Sequence, residues 1–487
     1  MRKDKRYIKL VTVVFAVALI AGCKISKPVI PSTMEVPATY RSNDTIVSES
    51  TDSVGIAGIK WQQYFSDDKL KALIDTAINN NPDLLSAVQR IAKANAALMV
   101  SRNAFFPTVD GIAAAGIEKY GDYTMNGVGN YDMNLSPNVN KNQIVPNPTP
   151  DFWIGFRTSW EIDLWGKLKN RKKAALARYL KEQKGAQFLK TLLVAQVSGL
   201  YYNLSALDNE SSIIKRNIKL QEEALEIVKI QKEAGLATEL AVQQFNAQLL
   251  FTKAAQYRVR QEIVEIENNL NTFLGRFPQS VSRDSLQPVK DYKQQIATGK
   301  AADLLVRRPD IREAEFELAA AKADVAAARA AFYPSLKLTP FAGLNTFNSA
   351  FLFNGASLAY GVAGGLMAPL FNSKQIQAAH KISIADNKEA YQQYRKTVLN
   401  AYSEVVTNMT GIENLNHAYT YKQQEVESLR SAVTVSRDLY VGGRASYLEI
   451  ISAQKVLLEA EIELNHIQKQ QYLTRIDLYR SLGGGWE

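Results

Sequence analysis

The spacing of apolar and polar residues switches between two periods along the chain. Residues 68–104 and 301–331 have a helical pattern, and each stretch contains a proline, after Asn81 and Arg308 respectively. Both stretches lead into segments in which apolar and polar residues alternate, as they do in strands. In the clearest of these segments, one face carries Phe152, Ile154, Phe156, Thr158, Trp160 and Ile162. We predict strands at about 107–118, 151–163, 335–345 and 357–369, of which the first is weakest because it is rich in Ala and Gly.

Two longer segments, 166–234 and 374–442, have a helical pattern and contain no proline. At ~1.5 Å per residue, each predicted helix is roughly 100 Å long. The segments that follow, 236–274 and 444–482, are about half as long, which predicts antiparallel helices packed side by side at coiled-coil spacing. The expected apolar contacts include Leu448, Ile451, Leu458, Ile462 and Leu473.

The chain of 487 residues contains the same series of segments twice. Matching residues lie 227 positions apart early in each copy and 208 apart later, so the first copy is 19 residues longer. We predict a first repeat at 61–275, a linker at 276–300 and a second repeat at 301–487. Such a duplication favours a scaffold with paired, equivalent parts over a catalytic domain with one pocket. The matching segments are Asn81–Asp83 with Arg308–Asp310, Phe106–Pro107 with Tyr333–Pro334, Gly235–Leu240 with Gly443–Leu448, and Leu274–Gly275 with Leu482–Gly483.

The N-terminus has the pattern of a bacterial lipoprotein signal. A basic start, Met1–Lys9, leads into an apolar run, Leu10–Ala21, which is too short to cross a bilayer as a mature helix. Soon after this run comes Cys23, the only cysteine in the chain. We predict a signal peptide at 1–22, acylation of Cys23, and an acylated arm at 23–60. The alternative is a plain secretory or signal-anchor segment with an incidental cysteine.

The predicted strands have the two unlike faces and the length, about 9–11 residues, of strands in a membrane β-barrel. The segment 120–150 between the first two is rich in Asn, Gly and Pro, as expected of an external loop. Four strands cannot close a barrel: two chains would supply eight strands and three would supply twelve, and the sequence alone does not choose. The alternative is two soluble hairpins packed on a core. Aromatic residues suited to a membrane interface cluster near the strand ends: Phe105, Phe106, Trp160, Trp165, Phe332, Tyr333 and Phe371.

Composition and motifs exclude several other classes of protein. The formal net charge is +10, but the first nine residues supply +4 of it, and the remainder forms no basic stripe. Nucleic-acid binding is therefore not predicted. The three histidines, His380, His417 and His466, are isolated, and no recognised catalytic motif is present. We predict no enzymatic activity, no cofactor and no metal site.

These features together resemble the outer membrane factor family, the TolC and OprM type of channel-tunnel, in its lipid-anchored, NodT-type branch. The resemblance implies a mainly α-helical, duplicated protomer with a membrane β-barrel. In it, long antiparallel coiled-coil helices form an α-barrel, and four strands per chain complete a shared twelve-stranded barrel in a homotrimer. The motifs that carry the resemblance are the lipobox at Cys23, Trp61–Asp68, both Pro-Asp helix restarts, both aromatic-proline pairs, Asp163–Gly166, Pro369–Phe371 and Leu448–Gln454.

By resemblance, two helix turns meet a periplasmic adaptor (membrane fusion) protein. The residues concerned are Gly235, Leu236, Gly442 and Gly443. Glycine suits such turns because it readily adopts the left-handed conformation that ends a helix.

The resemblance also places a periplasmic gate beside these turns. Glu449 matches a position where acidic side chains face the lumen, whereas the next such position, one turn on, is Ser452 instead of an acid. A threefold ring of carboxylates would attract cations and influence gating. Arg444 and Glu239 are candidates for charge contacts that hold the gate shut.

The implied function is a passive exit duct in the outer membrane, extending into the periplasm. It would conduct solutes for a tripartite efflux system with an adaptor and an inner-membrane pump, expected to be of the resistance-nodulation-division type. Two alternatives stay open: the exit duct of a type I protein-secretion system and, in a different class, a structural coiled-coil surface lipoprotein. The alternating strands argue against the structural role. The cargo stays open, although seven methionines without a cluster give no support to a copper route.

Overall fold

The structure is a computed structural model that describes residues 58–288, 303–369 and 373–487. Cys23, the predicted signal peptide, most of the predicted arm and part of the predicted linker lie outside these residues, as do Leu370 and Phe371. The chain divides into two compact units, each of which draws on both sequence repeats. One unit contains the described residues of Ala96–Leu176 and Ala319–Tyr391, and the other those of Met34–Asn95, Ala177–Leu318 and Gln392–Glu487.

Helices account for most of the described chain. The shorter ones are α1 (Trp61–Tyr64), α2 (Asp68–Asn80), α3 (Pro82–Asn103), α4 (Met125–Asn134), α7 (Leu304–Arg307) and α8 (Pro309–Ala330). Two others are far longer: α5 (Lys167–Glu233) has 67 residues and α9 (Ser373–Val441) has 69. Each is followed by a return helix of 35 residues, α6 (Glu239–Phe273) and α10 (Tyr447–Ser481). The predicted pairs of long helices are therefore confirmed.

Within the described ranges, no helix combines the length and the apolar character that a membrane crossing requires.

Both repeats restart a helix at a proline, and in both the preceding residue is tied to the end of a return helix. Pro82 and Pro309 begin α3 and α8, where the missing N–H costs nothing. The Asn81 side-chain amide donates to the carbonyl oxygen of Phe273 at 3.0 Å. Arg308 donates in the same way to the carbonyl oxygen of Ser481 at 2.9 Å. Since residues 273 and 481 differ by the offset of 208, the two repeats make equivalent contacts.

Arg308 is charged and almost fully buried, so its position requires compensation. Its guanidinium lies 2.7 Å from an Asp310 carboxylate oxygen and 2.9 Å from one of Glu404. Burial by itself lowers the pKa of Arg308, but the hydrogen bond and charge of Asp310 and the charge of Glu404 raise it above its ordinary value. The guanidinium therefore stays charged and connects three helices of one compact unit.

The buried apolar residues also repeat at the offset of 208. Val197 on α5 and Val405 on α9 are both fully buried, and Leu274 and Leu482, which follow the return helices, are nearly so. Each pair divides between two separate clusters, one around α5 and one around α9. The duplicated protomer is thus present in the packing as well as in the sequence.

Four strands form one antiparallel sheet in the order β1-β2-β3-β4. They are β1 (Thr108–Glu118), β2 (Thr149–Ile162), β3 (Ser335–Thr346) and β4 (Leu358–Met367). The central ladder, β2 with β3, joins the two sequence repeats. In this ladder Gly155 lies opposite Gly343, and a Cβ on Gly155 would lie 2.4 Å from the Gly343 Cα. The two strands are therefore too close at this pair to admit a side chain. Among the described strands, β1 and β4 each keep an unpaired edge.

The register brings apolar positions of all four strands onto one face, including those predicted in β2. Ile154 is opposite Ala113 of β1 and Leu344 of β3, and Leu344 is opposite Leu358 of β4. The other face is more polar and carries opposite charges on neighbouring strands. Asp110 lies opposite Arg157, and Glu161 lies opposite Lys337. Such pairs favour this register.

The apolar face is open to solvent in the isolated chain. Tyr360 and Val362 are each 77% exposed, and Phe156 is 62% exposed. A continuous apolar sheet face of this kind marks an interaction surface. It is not the core-packed face that soluble hairpins would have.

The aromatic residues near the strand ends connect the sheet to the helices of the same unit. The Trp160 indole N–H donates to the Phe105 carbonyl oxygen at 2.9 Å, and that of Trp165 donates to the Pro334 carbonyl oxygen at 2.7 Å. Trp165 also stacks on Tyr333, with ring centroids 5.0 Å apart. The Tyr333–Pro334 pair of the second repeat is thereby fixed to the segment that follows β2, and Phe105, next to the pair of the first repeat, is fixed to β2 itself.

Candidate gate and partner-contact turns

The turn from α5 to α6 is a helix-ending motif built around Gly235. Gly235 has a φ of +73°, which places it in the left-handed region. Its N–H donates to the Lys232 carbonyl oxygen at 2.9 Å, and the Leu236 N–H donates to that of Gln231 at 2.8 Å. These two bonds define a Schellman motif. The Leu236 side chain is left 79% exposed.

The turn from α9 to α10 repeats this geometry. Gly443 has a φ of +71°, and its N–H donates to the Tyr440 carbonyl oxygen at 3.0 Å. The Arg444 N–H donates to the Leu439 carbonyl oxygen at 2.8 Å. Gly442 precedes this motif without a left-handed φ, so the two adjacent glycines have different structural roles.

Both return helices begin with a hydroxyl cap three residues after the left-handed glycine. Thr238 Oγ1 accepts from the Ala241 N–H at 3.3 Å, and Ser446 Oγ accepts from the Leu448 N–H at 3.2 Å. In α10 the Glu449 carboxylate accepts from the Ser446 N–H at 3.3 Å, which completes a capping box. The candidate gate carboxylate is therefore held against its own turn.

The structure places Glu449, Ser452 and Arg444 on the exposed surface of the described chain. Glu449 and Ser452 are three residues apart on α10 and share a helix face. Ile450, between them, is buried on the opposite side. The Arg444 side chain forms no ion pair within the part of the chain that the structure describes.

Glu239 forms an ion pair within its own turn. Its carboxylate pairs with the Lys232 ammonium at the end of α5 and accepts from the Gln243 side-chain amide at 2.6 Å. The hydrogen bond from Lys232, followed by the one from Gln243, lowers the pKa of Glu239. The structure thus pairs Glu239 with Lys232, a residue that the sequence analysis had not singled out, and does not bring it to Arg444.

An apolar cluster on the adjoining helices packs next to the two turns. Phe245 of α6 is nearly fully buried against Val228 of α5 and Ile450 of α10. Tyr440 and Tyr447, which flank the second turn, pack against the same cluster. The two turns are therefore built on one shared core.

A buried polar network, also missed by the sequence analysis, lies on α10 beyond this cluster. The Glu461 carboxylate is 2.6 Å from Arg430 Nη2 of α9 and accepts from the Asn217 amide of α5 at 3.3 Å. The signal was present in the sequence, because Gln454, Leu457 and Glu461 recur at the spacing of a buried helix face. Polar residues at such positions require partners on the facing helices.

One predicted apolar contact on α10 is not made within the chain. Leu448 is 52% exposed, whereas Leu458 of the same predicted set is buried. The reason is rotational: Leu448 is two residues, about 200°, from the buried Ile450 at 3.6 residues per turn. It adds an exposed apolar side chain to the second turn.

No group of three or more His, Cys, Asp or Glu residues in the described ranges is arranged to hold a metal ion.

Several proteins from outer-membrane export systems are similar to this chain over nearly its full length. The cation efflux system protein CusC of Escherichia coli K12 is 28% identical over 479 residues, which cover 97% of this chain and 98% of CusC. The pyoverdine export outer membrane protein OpmQ of Pseudomonas aeruginosa is 26% identical, with coverage of 99% and 98%. The toluene efflux pump outer membrane protein TtgI of Pseudomonas putida is also 26% identical, with coverage of 97% of each chain.

Solved structures share the fold. The outer-membrane channel OprN superposes with a TM-score of 0.82 at 25% identity, covering 94% of this chain and all of OprN. A structure of CusC superposes with a TM-score of 0.78 at 26% identity, with coverage of 94% and 100%. These likenesses confirm the fold class.

The profile of one protein family, "Outer membrane efflux protein", matches residues 73–276 and 301–484. The two matched segments correspond to the two predicted repeats, with the first running one residue into the predicted linker, and together they span most of the chain. The prediction of a transport protein, and not an enzyme, is confirmed by this match. On the strength of its two-part match, its fold and its relatives, the chain belongs to the outer membrane efflux protein family.

Proposed function

We propose that this chain is one protomer of a homotrimeric channel-tunnel, the exit duct of a tripartite efflux system in the outer membrane. The observation that carries the proposal is the sheet, which has a continuous exposed apolar face and two unpaired edges. Exposed sheet edges within lipid would leave backbone groups without hydrogen bonds. Neighbouring copies of the same sheet would satisfy both edges.

Three copies fit this role better than two. Two copies would give eight strands, and an eight-stranded barrel has an interior filled by side chains or one small ligand. Three copies would give twelve strands and a wider interior. The polar sheet face, with Asp110, Arg157, Glu161 and Lys337, would then line water, and the apolar face would contact lipid.

We assign contact with a periplasmic adaptor to the two helix turns. The exposed apolar side chains of Leu236, Leu240 and Leu448 support this assignment, because apolar groups at a rigid, glycine-ended turn favour protein contact. Gly235 and Gly443 supply the backbone shape of each turn, and Gly442 extends the second.

Glu449 is proposed to form a threefold carboxylate ring at the gate, with Ser452 one turn farther along the same face. Its exposure and its anchorage by the Ser446 cap support a fixed lumen-facing position. Arg444, free of ion pairs among the described residues, is available to a neighbouring protomer. Glu239 would first have to exchange its contact with Lys232 for an intersubunit one.

Cys23 is the proposed lipid attachment site, with the residues before it removed as a signal peptide. Acylation would hold the periplasmic side of the protomer at the membrane independently of the sheet. Replacing Cys23 with serine should abolish labelling by a radioactive fatty acid and leave the precursor uncleaved.

The inner-membrane partner is proposed to be a pump of the resistance-nodulation-division type, with the pump choosing the cargo. The names of the three relatives refer to a cation, pyoverdine and toluene, although their sequence identities to this chain are similar. Such varied cargoes are expected of ducts that select weakly. Those names favour solute efflux over type I protein secretion.

The duct is tested by purifying the full-length protein and reconstituting it. We expect a trimer that resists SDS until heated and discrete single-channel conductance in a planar bilayer. Absence of both would overturn the proposal in favour of a structural lipoprotein.

The gate is tested by comparing Glu449→Gln with Glu459→Gln, an exposed carboxylate farther along α10. Removing the ring charge should weaken block by divalent cations, while Glu459→Gln should leave the block unchanged. An unchanged cation response in Glu449→Gln would remove this residue from the constriction.

A further inference from the structure

A cavity of about 360 Å³ lies between α5, α6, α9 and α10 and borders the apolar cluster next to the turns. All its lining residues belong to one compact unit of one chain. Its volume is at the lower end of the range for small-molecule sites, about 300–1,000 Å³. Nothing in the proposed duct function requires this space.

The inner walls of the cavity are apolar. Its lining includes Leu220, Ile227, Val228, Phe245, Ile450 and Leu457. Leu220 is 38% exposed and offers accessible apolar surface, whereas Phe245 and Val228 are almost fully buried and close the wall behind the accessible residues. Such walls favour the apolar body of a ligand, because its transfer from water is favourable.

The charged residues of the lining have an excess of guanidinium groups. Arg216, Arg430 and Arg437 line the cavity with Glu223 and Glu461. Arg430 is occupied by Glu461. Arg437 has only a loose contact with Asp438 at 3.7 Å, and Arg216 forms no ion pair within the described ranges. The two arginines therefore lack strong partners.

Two polar atoms of the lining also lack partners. Within the residues described, the Tyr440 hydroxyl and the Gln454 carbonyl oxygen are buried without a hydrogen bond. Burial raises the pKa of Tyr440, so its hydroxyl stays protonated and can donate. A buried donor without an acceptor is costly, and a ligand oxygen would remove that cost.

We propose that this cavity binds a free, single-chain anionic amphiphile such as a long-chain carboxylate. The head group would pair with Arg216 and Arg437 and accept from Tyr440, since guanidinium matches carboxylate geometry. The chain would lie against the accessible apolar lining of Leu220, Ile227 and Val433. The small volume favours one chain over a two-chain phospholipid.

The binding is measured directly and does not depend on conductance. The full-length protein in zwitterionic nanodiscs is titrated with 11-(dansylamino)undecanoic acid, with empty nanodiscs subtracted. We expect saturable fluorescence enhancement with one site per chain. Absence of saturable binding above the empty discs would overturn the site, whether or not the protein conducts.

Filling the cavity tests its location. Ala224, a small residue of the lining, is changed to leucine, and the matched control is Ala432→Leu on the exposed surface of α9. Because the added side chain occupies ligand space, Ala224→Leu should weaken binding by about tenfold or more, while the control should not. Equal binding by the two variants would place the probe elsewhere and overturn the assignment.

Charge tests the head group without relying on packing. The double variant Arg216→Gln, Arg437→Gln should weaken binding by about tenfold, because both strong donors to the carboxylate are lost. Arg258→Gln, an exposed arginine on α6, is the control. The methyl ester of the probe should bind weakly to every variant. If the ester binds as tightly as the acid, the site does not require an anionic head group. If an anionic phospholipid competes at equal concentration, the site is not restricted to single-chain ligands.

Discussion

At the residue scale, the left-handed glycines determine the geometry of the helix turns. Gly235 and Gly443 lie 208 residues apart, share nearly the same φ and donate the same pattern of hydrogen bonds. The sequence pattern was sufficient to locate both, because glycine followed by a capping hydroxyl is a recognisable end and start of helices. It did not reveal Lys232, whose contact with Glu239 depends on how the turn folds back.

Gly443→Ala should destabilise the second turn by about 1–2 kcal/mol, because a Cβ disfavours the left-handed conformation. Gly442→Ala is the matched control: it needs no left-handed φ, and its Cβ would make only ordinary contacts. Hydrogen exchange of the amides between residues 436 and 450 should therefore accelerate in the first variant only. Equal protection of these amides from exchange in the two variants would show that a side chain at position 443 does not strain the turn.

Glu239 gives the first turn a dependence on pH. Its pKa is lowered in the folded chain, so the contact with Lys232 stabilises the turn above the ordinary carboxyl value and is lost as the pH falls through the lowered one. Glu239→Gln should accelerate exchange around residue 235 at neutral pH, and the difference from the parent should vanish in acid. A difference that persists in acid would contradict the ion pair as its source.

At the scale of elements, the helix restarts tie distant parts of the chain together. Arg308 joins α8 to α9 through Glu404 and to the end of α10 through the Ser481 carbonyl. Asn81 makes the equivalent carbonyl contact in the first repeat with a neutral amide. The Pro-Asp motif predicted a helix break at both places. The contact partners lie far away along the chain, so the local sequence pattern could not predict them.

Arg308→Ala should destabilise its unit by about 3–5 kcal/mol, because the largely buried Asp310 carboxylate would lose its ion pair and Glu404 would keep only its contact with Arg480 at 3.5 Å. Arg312→Ala, four residues later in α8 and more exposed, should cost less than about 1 kcal/mol. Chemical denaturation of the two variants under identical conditions measures the difference. Similar midpoints would show that the buried network contributes little.

The lengths and types of the elements were predictable because strand and helix place side chains at different periods. The four strands and the long helices follow from that difference. The orientation of each helix about its own axis was less predictable: Leu448 was expected in a contact and is exposed, whereas Glu461 is buried. Apolarity alone could not distinguish them, since the Glu461 position depends on Arg430 and Asn217 of other helices.

At the scale of the whole molecule, the sheet is the part that the single chain leaves incomplete. Its edge strands come from opposite ends of the sheet order, β1 from the first repeat and β4 from the second. In the proposed trimer, β4 of one protomer pairs with β1 of the next. The antiparallel order of the four strands permits such pairing without reversing direction.

A cysteine pair across that junction tests the trimer. Ile112→Cys in β1, combined in turn with Ala359→Cys, Ala363→Cys or Gly365→Cys on the same face of β4, should give covalent dimers and trimers on oxidation. At least one pair falls within reach of a disulfide if the strands are neighbours. Trp153→Cys with Asn345→Cys, directly opposite in β2 and β3, should give only an internal bond. The single variant Ile112→Cys is the control for disulfides formed with Cys23. If none of the three combinations gives covalent dimers and trimers, the shared barrel is contradicted.

The sequence by itself determined the periods, the breaks and the duplication, because these depend on neighbours within a few residues and on the offset between the two copies. The tertiary structure decided the sheet register that collects the apolar positions on one face, the partners of Arg308, Glu239 and Glu461, and the cavity beside Phe245. Those features arise where segments distant in sequence meet, and a one-dimensional pattern contains no distances between such segments.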